Sequence, residues 1–282
     1  MNLVKYGNYQ FHMDNSSIIG SGSQSTVYKG TNIRTGDEVA IKVIPTKHLK
    51  KSSMRQLLNG INILKSISSR NMEGVAKLYD VIVNEDDLTI NIITELIHGI
   101  DIYYVCVDYD YNIPEDVCIC MFKKIINIVN KLHSDDIAHL DIKIENIMYC
   151  SNTDTVKLID FCFSSKTSII SPDGIKKNIM LEKYNGSIHY ISPEIINIEP
   201  YLGKPADMWA LGVTYYVMLF GKFPFDDDND LYVNIFNKIR NCEYIIPNTV
   251  SESSIYAIEN LLQYNPDNRM TIGELCDYFD LL

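Results

Sequence analysis

The stretch HLDIKIEN, residues 139–146, sets a carboxylate (Asp141), an ammonium two residues on (Lys143) and a side-chain amide five residues on (Asn146) into one short segment. Fourteen residues beyond Asn146, Asp160 follows an apolar run in LIDFC. A further cation, Lys42, closes VAIK, twenty-two residues after Gly20 of IGSGSQSTVYKG. Together these side chains supply what phosphoryl transfer requires: one carboxylate for the acceptor hydroxyl, two oxygen donors for Mg²⁺ and two cations for phosphate charge. Singly, each has a plainer reading. A G-x-G turn is more often a hairpin than a phosphate cradle, and an isolated strand-end lysine more often snorkels from an edge. The spacing D-x-K-x-x-x-N followed by D-F is hard to reach by accident. A dinucleotide-binding reading of Gly20 and Gly22 fails, because the next segment reads as a strand rather than a helix.

Strands must present most of the first group. VYKGT, DEVAIKVI and LTINIITEL are short, rich in β-branched residues and separated by turn residues such as Thr35-Gly36-Asp37. One helix interrupts them, with Met54, Leu57, Leu58, Ile61 and Leu64 at helical spacing. The character changes after His98 and Gly99. Pro114 with Glu115 and Asp116 marks a helix start, and Cys118, Met121, Phe122, Ile125, Val129 and Leu132 form its apolar stripe. NIMYC-SNTD-TVKLIDF reads as strand, polar turn and strand, and from Lys204 onward the pattern is helical. No repeat is evident.

The 282 residues, 46% of them apolar, suffice for one large domain or two lobes with a real core. No N-terminal stretch has the layout of a signal peptide. The longest apolar run, residues 208–221, is too short to span a bilayer and reads as a buried helix. Seven scattered cysteines without a C-x-x-C pair read as free thiols in a reducing cytosol, which points to a cytoplasmic location. The net charge of −11 is uneven: residues 1–97 balance at +2 and residues 98–282 at −13. An acidic second part argues against nucleic acid or an anionic membrane as partner and suits basic peptides. The many Ile, Asn and Tyr residues fit an AT-rich genome such as that of a large DNA virus, whose protein would work in the host cytoplasm. Nothing in the sequence marks an oligomeric state.

These motifs, in this order, resemble the eukaryotic protein kinases from roughly residue 12 to the C-terminus. GSIHYISPE (residues 186–194) resembles the substrate-binding and A-P-E segment. DMWALG (residues 207–212) resembles the buried helix whose Asp steadies the catalytic loop. NPDNRMT places Arg269 where the family has the partner of the A-P-E glutamate, here Glu194. The tail is similar to the calmodulin-dependent and AMP-activated group of Ser/Thr kinases. The resemblance implies an α+β, bilobal fold: a small antiparallel β-sheet lobe with one main helix (about residues 12–95), a hinge (about 95–101) and a larger, mainly helical lobe (about 102–282), after a lead-in of residues 1–11.

It also implies roles. Asp141 would orient the acceptor hydroxyl and take its proton, Lys143 would neutralise γ-phosphate charge and favour Ser/Thr acceptors, and Asn146 and Asp160 would hold Mg²⁺. Lys42 would bind the α- and β-phosphates of ATP. Ile19, Gly20, Ser21, Gly22, Ser23, Gln24, Ser25, Thr26 and Val27 would cover the nucleotide. In TELI, Thr94 would be the gatekeeper, with the Glu95 carbonyl and the Ile97 amide meeting adenine. Asp101 stands at the expected ribose contact, and Ser187 where a hydroxyl would bridge Asp141 and Lys143. Protein substrates would be the partners. Glu145, Asp101 and the acidic run 226–230 point to Arg or Lys upstream of the acceptor, although the run also reads as a solvated turn.

The chain departs from the family at several positions. Ser25 replaces the third glycine of the phosphate loop, and Gly60 stands where the helix-C glutamate belongs. No Asp or Glu occurs between Val39 and Met72, so a register shift cannot restore that acid. Leu140 replaces the arginine that would grip an activation-loop phosphate, so Ser164, Ser165, Thr167, Ser168 and Ser171 of the loop 163–185 read as ordinary flexible-loop residues. Cys162 replaces the glycine after Asp-Phe and should resist a flip of that segment. These losses would suit a pseudokinase, a nucleotide-binding scaffold with little catalysis. Retention of Lys42, Asp141, Asn146 and Asp160 favours the active Ser/Thr kinase. A metabolite kinase would leave the segment 187–194 unexplained.

Overall fold

A computed structural model describes residues 3–22, 25–183, 186–229 and 231–281. The chain divides into two compact units, residues 1–98 and 99–282.

In the first unit, β1 (Leu3–Tyr6), β2 (Tyr9–His12), β3 (Ile18–Gly22), β4 (Ser25–Asn32) and β5 (Glu38–Pro45) precede the helix α1 (Lys51–Ser69), and β6 (Leu78–Asn84) and β7 (Thr89–Glu95) follow it. Among the described residues the strands form one antiparallel sheet of order β1-β2-β4-β5-β7-β6, with β3 paired to β4. Residues 3–12, which cover the described part of what reads by sequence as a lead-in, thus contribute a hairpin at one end of the sheet. Alternation on β5 sets the geometry. Val39, Ile41 and Val43 point into a cluster with Tyr6, Tyr9, Phe11 and Ile93, so Lys42 projects from the opposite face. Gly30 permits this packing, since a Cβ there would lie 2.5 Å from Ile41 Cδ1 and 2.9 Å from the Gln10 carbonyl. On α1, Leu57, Ile61 and Leu64 are buried as their spacing predicts, whereas Leu58 is exposed.

The second unit begins with β8 (Ile100–Asp101), α2 (Ile102–Asp108), α3 (Glu115–Ser134) and β9 (Ile137–Ala138). Next come β10 (Ile147–Cys150), β11 (Thr155–Leu158), β12 (Ser165–Lys166), β13 (Ser168–Ile170), β14 (Lys176–Asn178) and β15 (Met180–Leu181). It ends with α4 (Pro193–Ile196), β16 (Tyr201–Leu202), α5 (Gly203–Phe220), α6 (Tyr232–Arg240), α7 (Glu252–Leu261) and α8 (Ile272–Asp280). The α3 stripe is buried throughout, and α5 is buried on every side from Ala206 to Leu219, as a central helix must be. Phe122 of α3 stacks on Tyr215 of α5 at 4.3 Å, and Phe279 of α8 meets both rings edge-on. Thr271 and Glu274 close a capping box on α8. Among the described residues no helix is long and apolar enough to cross a membrane. An antiparallel sheet with one long helix, followed by a mainly helical unit, is the α+β architecture expected from the motifs.

Candidate active site

Asp207 organises the second unit's chemistry from below. It is fully buried on α5, and its carboxylate accepts the backbone N–H of His139 through Oδ2 and of Leu140 through Oδ1, each at 2.8 Å. His133 Nε2 donates to the same Oδ2 at 2.9 Å. Two backbone donors of a tight, buried loop are thereby satisfied, and Leu140 holds a left-handed φ of +65°. The His139 ring accepts the Asp141 N–H at Nδ1 (3.3 Å), which leaves Nε2 as the nitrogen that donates to the Ile159 carbonyl (3.0 Å). Its edge packs against Phe161 at 4.8 Å. One histidine thus ties the 139–146 loop to the Asp-Phe segment.

Asp141 sits in that loop with its carboxylate largely enclosed. Asn146 Nδ2 donates both to the Asp141 carbonyl and to Oδ2, each at 2.8 Å. Ser187 Oγ donates to Oδ1 at 3.2 Å, and Lys143 Nζ lies 3.4 Å from Oδ2 while donating to Ser187 Oγ at 2.8 Å. Gly186, at φ +104°, makes the turn that brings Ser187 in, and a Cβ there would lie 3.0 Å from Ile191. A carboxylate, an ammonium and a bridging hydroxyl therefore share one spot, 46 residues apart in sequence at their widest. Such a group can accept a proton from a hydroxyl and hold an anion beside it.

The hairpin β10–β11 carries the remaining oxygens. Ile147 pairs with Leu158, and the Ile159 N–H donates to the Asn146 carbonyl at 2.9 Å, so Asn146 and Asp160 leave the same end. Asp160 takes φ +62°, and its Oδ1 accepts the Cys162 N–H at 3.3 Å. The left-handed residue of this segment is Asp160 rather than Cys162, so the missing glycine costs nothing in the conformation seen. Because the Asn146 amide nitrogen is spent on Asp141, its Oδ1 is the atom left for a cation. One carboxylate and one amide oxygen are hard donors that suit Mg²⁺, which takes its other ligands from phosphate and water. Among the described residues no cluster of three His, Cys, Asp or Glu forms a self-sufficient metal cage.

Asp101 belongs to this unit too. Its carboxylate caps α2 by accepting the Tyr104 N–H at 3.1 Å, and burial raises its pKa. In the run 226–230, Asp227 accepts from Asn229, Leu231 and Asn234 around the start of α6, a local structural use. Asp226 is exposed and 3.5 Å from His189, and Asp230 lies outside the described residues. Glu145 is exposed.

In the first unit, Gly20, Val27 and Lys42 form successive rungs across β3, β4 and β5, which places Lys42 two strands, about 10 Å, from the glycine strand. Ser21 faces Thr26 and Gly22 faces Ser25 in the closing hairpin, and Ile19 lies at a bulge. Ser23 and Gln24 lie outside the described residues. Thr94 and Glu95 end β7, where the Glu95 N–H donates to Lys77 at 2.9 Å, and Ile97 follows. Gly60 is buried within α1.

One sequence expectation needs correction. The described part of the loop 163–185 is not irregular: β12 pairs with β9, β13 with β14, and β15 with β16. Ser164 and Thr167 are buried, Ser164 donating to the His139 carbonyl at 3.2 Å. The signal was present in SPDG, residues 171–174, a turn sequence between TSII and IKKN. Sequence reasoning also missed Asp136, on which this loop is anchored.

At the far end of the unit, Arg269 grips Glu194 through two bonds of 2.8 and 2.7 Å and donates to the carbonyls of Gln263, Pro205 and Tyr264. That pair fastens the segment carrying Ser187 to the helical core.

Comparison with known proteins identifies the family. Residues 13–279 match the protein kinase domain. The chain is 32% identical to the probable serine/threonine-protein kinase MARK-C of Dictyostelium discoideum over 97% of its own length and 33% of that protein's. It is 33% identical to the carbon catabolite-derepressing protein kinase of Candida tropicalis (97% and 41% covered) and 30% identical to CBL-interacting serine/threonine-protein kinase 16 of Arabidopsis thaliana (92% and 54%). The chain thus spans about a third to a half of the length of these curated relatives. With the family match covering nearly the whole chain, the chain belongs to the protein kinase domain family.

Proposed function

We propose that the chain is a Ser/Thr protein kinase that transfers the γ-phosphoryl group of ATP to hydroxyls of protein substrates. The observation that carries this reading is the convergence of Asp141, Lys143, Ser187 and Asn146. Asp141 orients the acceptor hydroxyl and takes its proton as the new O–P bond forms and the bond to the ADP oxygen breaks. Lys143 offsets the charge on the moving phosphoryl group, and Ser187 holds Asp141 and Lys143 in register. Asn146 and Asp160 would hold Mg²⁺, which would supply positive charge to offset that of the phosphates.

Lys42 holds the α- and β-phosphates, and residues 19–27 cover them through backbone N–H groups. The Glu95 carbonyl and Ile97 N–H meet adenine, and Asp101 meets the ribose. The helix-C acid missing at Gly60 is thereby a change in how Lys42 is steadied, not a loss of the groups that touch the reacting atoms. Exposed Glu145, beside Asn146, and Asp226 favour acceptor peptides with upstream Arg or Lys. Among the described residues no cysteine is in a disulfide, which suits a cytoplasmic enzyme.

The test is transfer of label from γ-labelled ATP, with Mg²⁺, to a panel of basic and acidic proteins, followed by phosphoamino-acid analysis. Label on serine and threonine of the basic proteins is expected. Label on tyrosine alone, or none, contradicts the reading.

A further inference from the structure

Asp136 stands between α3 and β9 with φ +56°, a left-handed backbone that Asp and Asn adopt more readily than other side chains. Both of its carboxylate oxygens are engaged. Lys204 Nζ, from the start of α5, donates to Oδ1 at 2.8 Å, and Lys176 Nζ, from β14, lies 2.6 Å from Oδ2. Ser168 of β13 stands close enough to favour the charged carboxylate. The backbone adds to the tie, because the Thr167 N–H donates to the Asp136 carbonyl at 2.9 Å. Lys166 Nζ reaches the Asp135 carbonyl at 3.2 Å, and Ser165 and Lys166 pair with Ala138 and Ile137.

Both strands of the β13–β14 hairpin are therefore fastened to the residues just ahead of the 139–146 loop. The fastening is ionic at its centre. Without the Asp136 charge, Lys176 and Lys204 would face each other with nothing between them. At position 140 there is a buried leucine rather than a guanidinium, so no cation stands there to receive a loop phosphate.

We propose that Asp136 is a positioning residue for the acceptor substrate, a permanent anion that orders the segment 164–178, and through it the segment carrying Ser187, without phosphorylation of the loop. The proposal rests on the phosphoryl-transfer reading above. It predicts a kinase that is active as synthesised, its loop lysines being satisfied by the chain's own carboxylate.

The variants can be chosen to spare the fold. Asp136→Asn keeps the shape and the tolerance for left-handed backbone and removes the charge together with one of the two acceptor oxygens. Lys176→Gln alters a side chain that is 58% exposed. Asp154→Asn is the control, another acid in left-handed backbone (φ +49°) paired with a lysine, Lys124, but at the β10–β11 turn. Each protein is treated with phosphatase, its mass is checked, and KM for peptide, KM for ATP and hydrogen exchange over residues 164–178 are measured.

The parent is expected to keep its turnover after phosphatase. Asp136→Asn and Lys176→Gln should each raise the peptide KM by roughly threefold or more, leave the ATP KM alone and speed exchange over 164–178. The control should match the parent. A parent silenced by phosphatase, or variants with the parent's peptide KM and loop exchange, overturns the proposal. Exchange needs no turnover: if the parent transfers no phosphate before phosphatase treatment, the phosphoryl-transfer reading falls, and unchanged exchange in the variants would refute the tether by itself.

Discussion

The side-chain amide of Asn146 donates to both the backbone carbonyl and the Oδ2 of Asp141, each at 2.8 Å. One side chain thereby fixes the direction of the carboxylate and turns its own oxygen outward. A buried carboxylate left to rotate would lose the alignment on which proton transfer depends, because small misplacements cost large factors in rate.

Ser187 should matter through its hydroxyl alone. It donates to Asp141 and accepts from Lys143, so Ser187→Ala removes the bridge between the two. We expect kcat to fall roughly tenfold, the worth of a hydrogen bond to a charged group, while Ser187→Thr stays near the parent. Steady-state kinetics on a single peptide checks this.

Glu194 and Arg269 should dominate the stability of the second unit. Their bidentate pair is almost fully buried, and Arg269 also lies 5.1 Å over the Trp209 ring. Glu194→Ala leaves a buried guanidinium without its partner, at a cost of about 3–5 kcal/mol. Urea unfolding should show a lowered midpoint, with the slope unchanged.

Asp136 should also leave a mark in the pH dependence of stability. Hydrogen bonds from Lys176 and then Lys204 hold its carboxyl well below the usual carboxylate range. A depressed acid stabilises the fold above its unfolded value of about 3.9, and that contribution is lost as pH falls toward the folded value. The Tm of Asp136→Asn should lie below the parent's by a steady margin above about pH 5, and the gap should narrow progressively as pH falls below about 4. Thermal melts across that range would reveal it.

Much of this was legible from residue order. β-Branched enrichment between turn residues marked β5 and with it Lys42, and the α3 stripe and the apolar run of α5 were readable because one face, or every face, is buried. Asp207 and the Glu194–Arg269 pair followed from the resemblance, and their geometry agrees with it. Less readable were contacts made by polar residues across long separations. Nothing in local pattern tells that Asp136 meets Lys204, 68 residues on, since a surface acid and a surface lysine look the same whether or not they pair. The β13–β14 hairpin was missed for another reason. Its strands are three residues each, too short for alternation to register, and only the SPDG turn marked it. Leu58 shares the helical spacing of α1 yet is exposed, because spacing gives the stripe but not its width.

The central claim is that Asp141 takes the acceptor's proton. Its most direct test compares Asp141→Asn with the parent in two measurements on the same preparations: kcat at saturating ATP, Mg²⁺ and peptide, and nucleotide affinity by calorimetry. The account predicts a kcat lower by roughly 10² to 10⁴, with nucleotide affinity within about threefold of the parent. An Asp141→Asn protein that phosphorylates peptide as fast as the parent would contradict it.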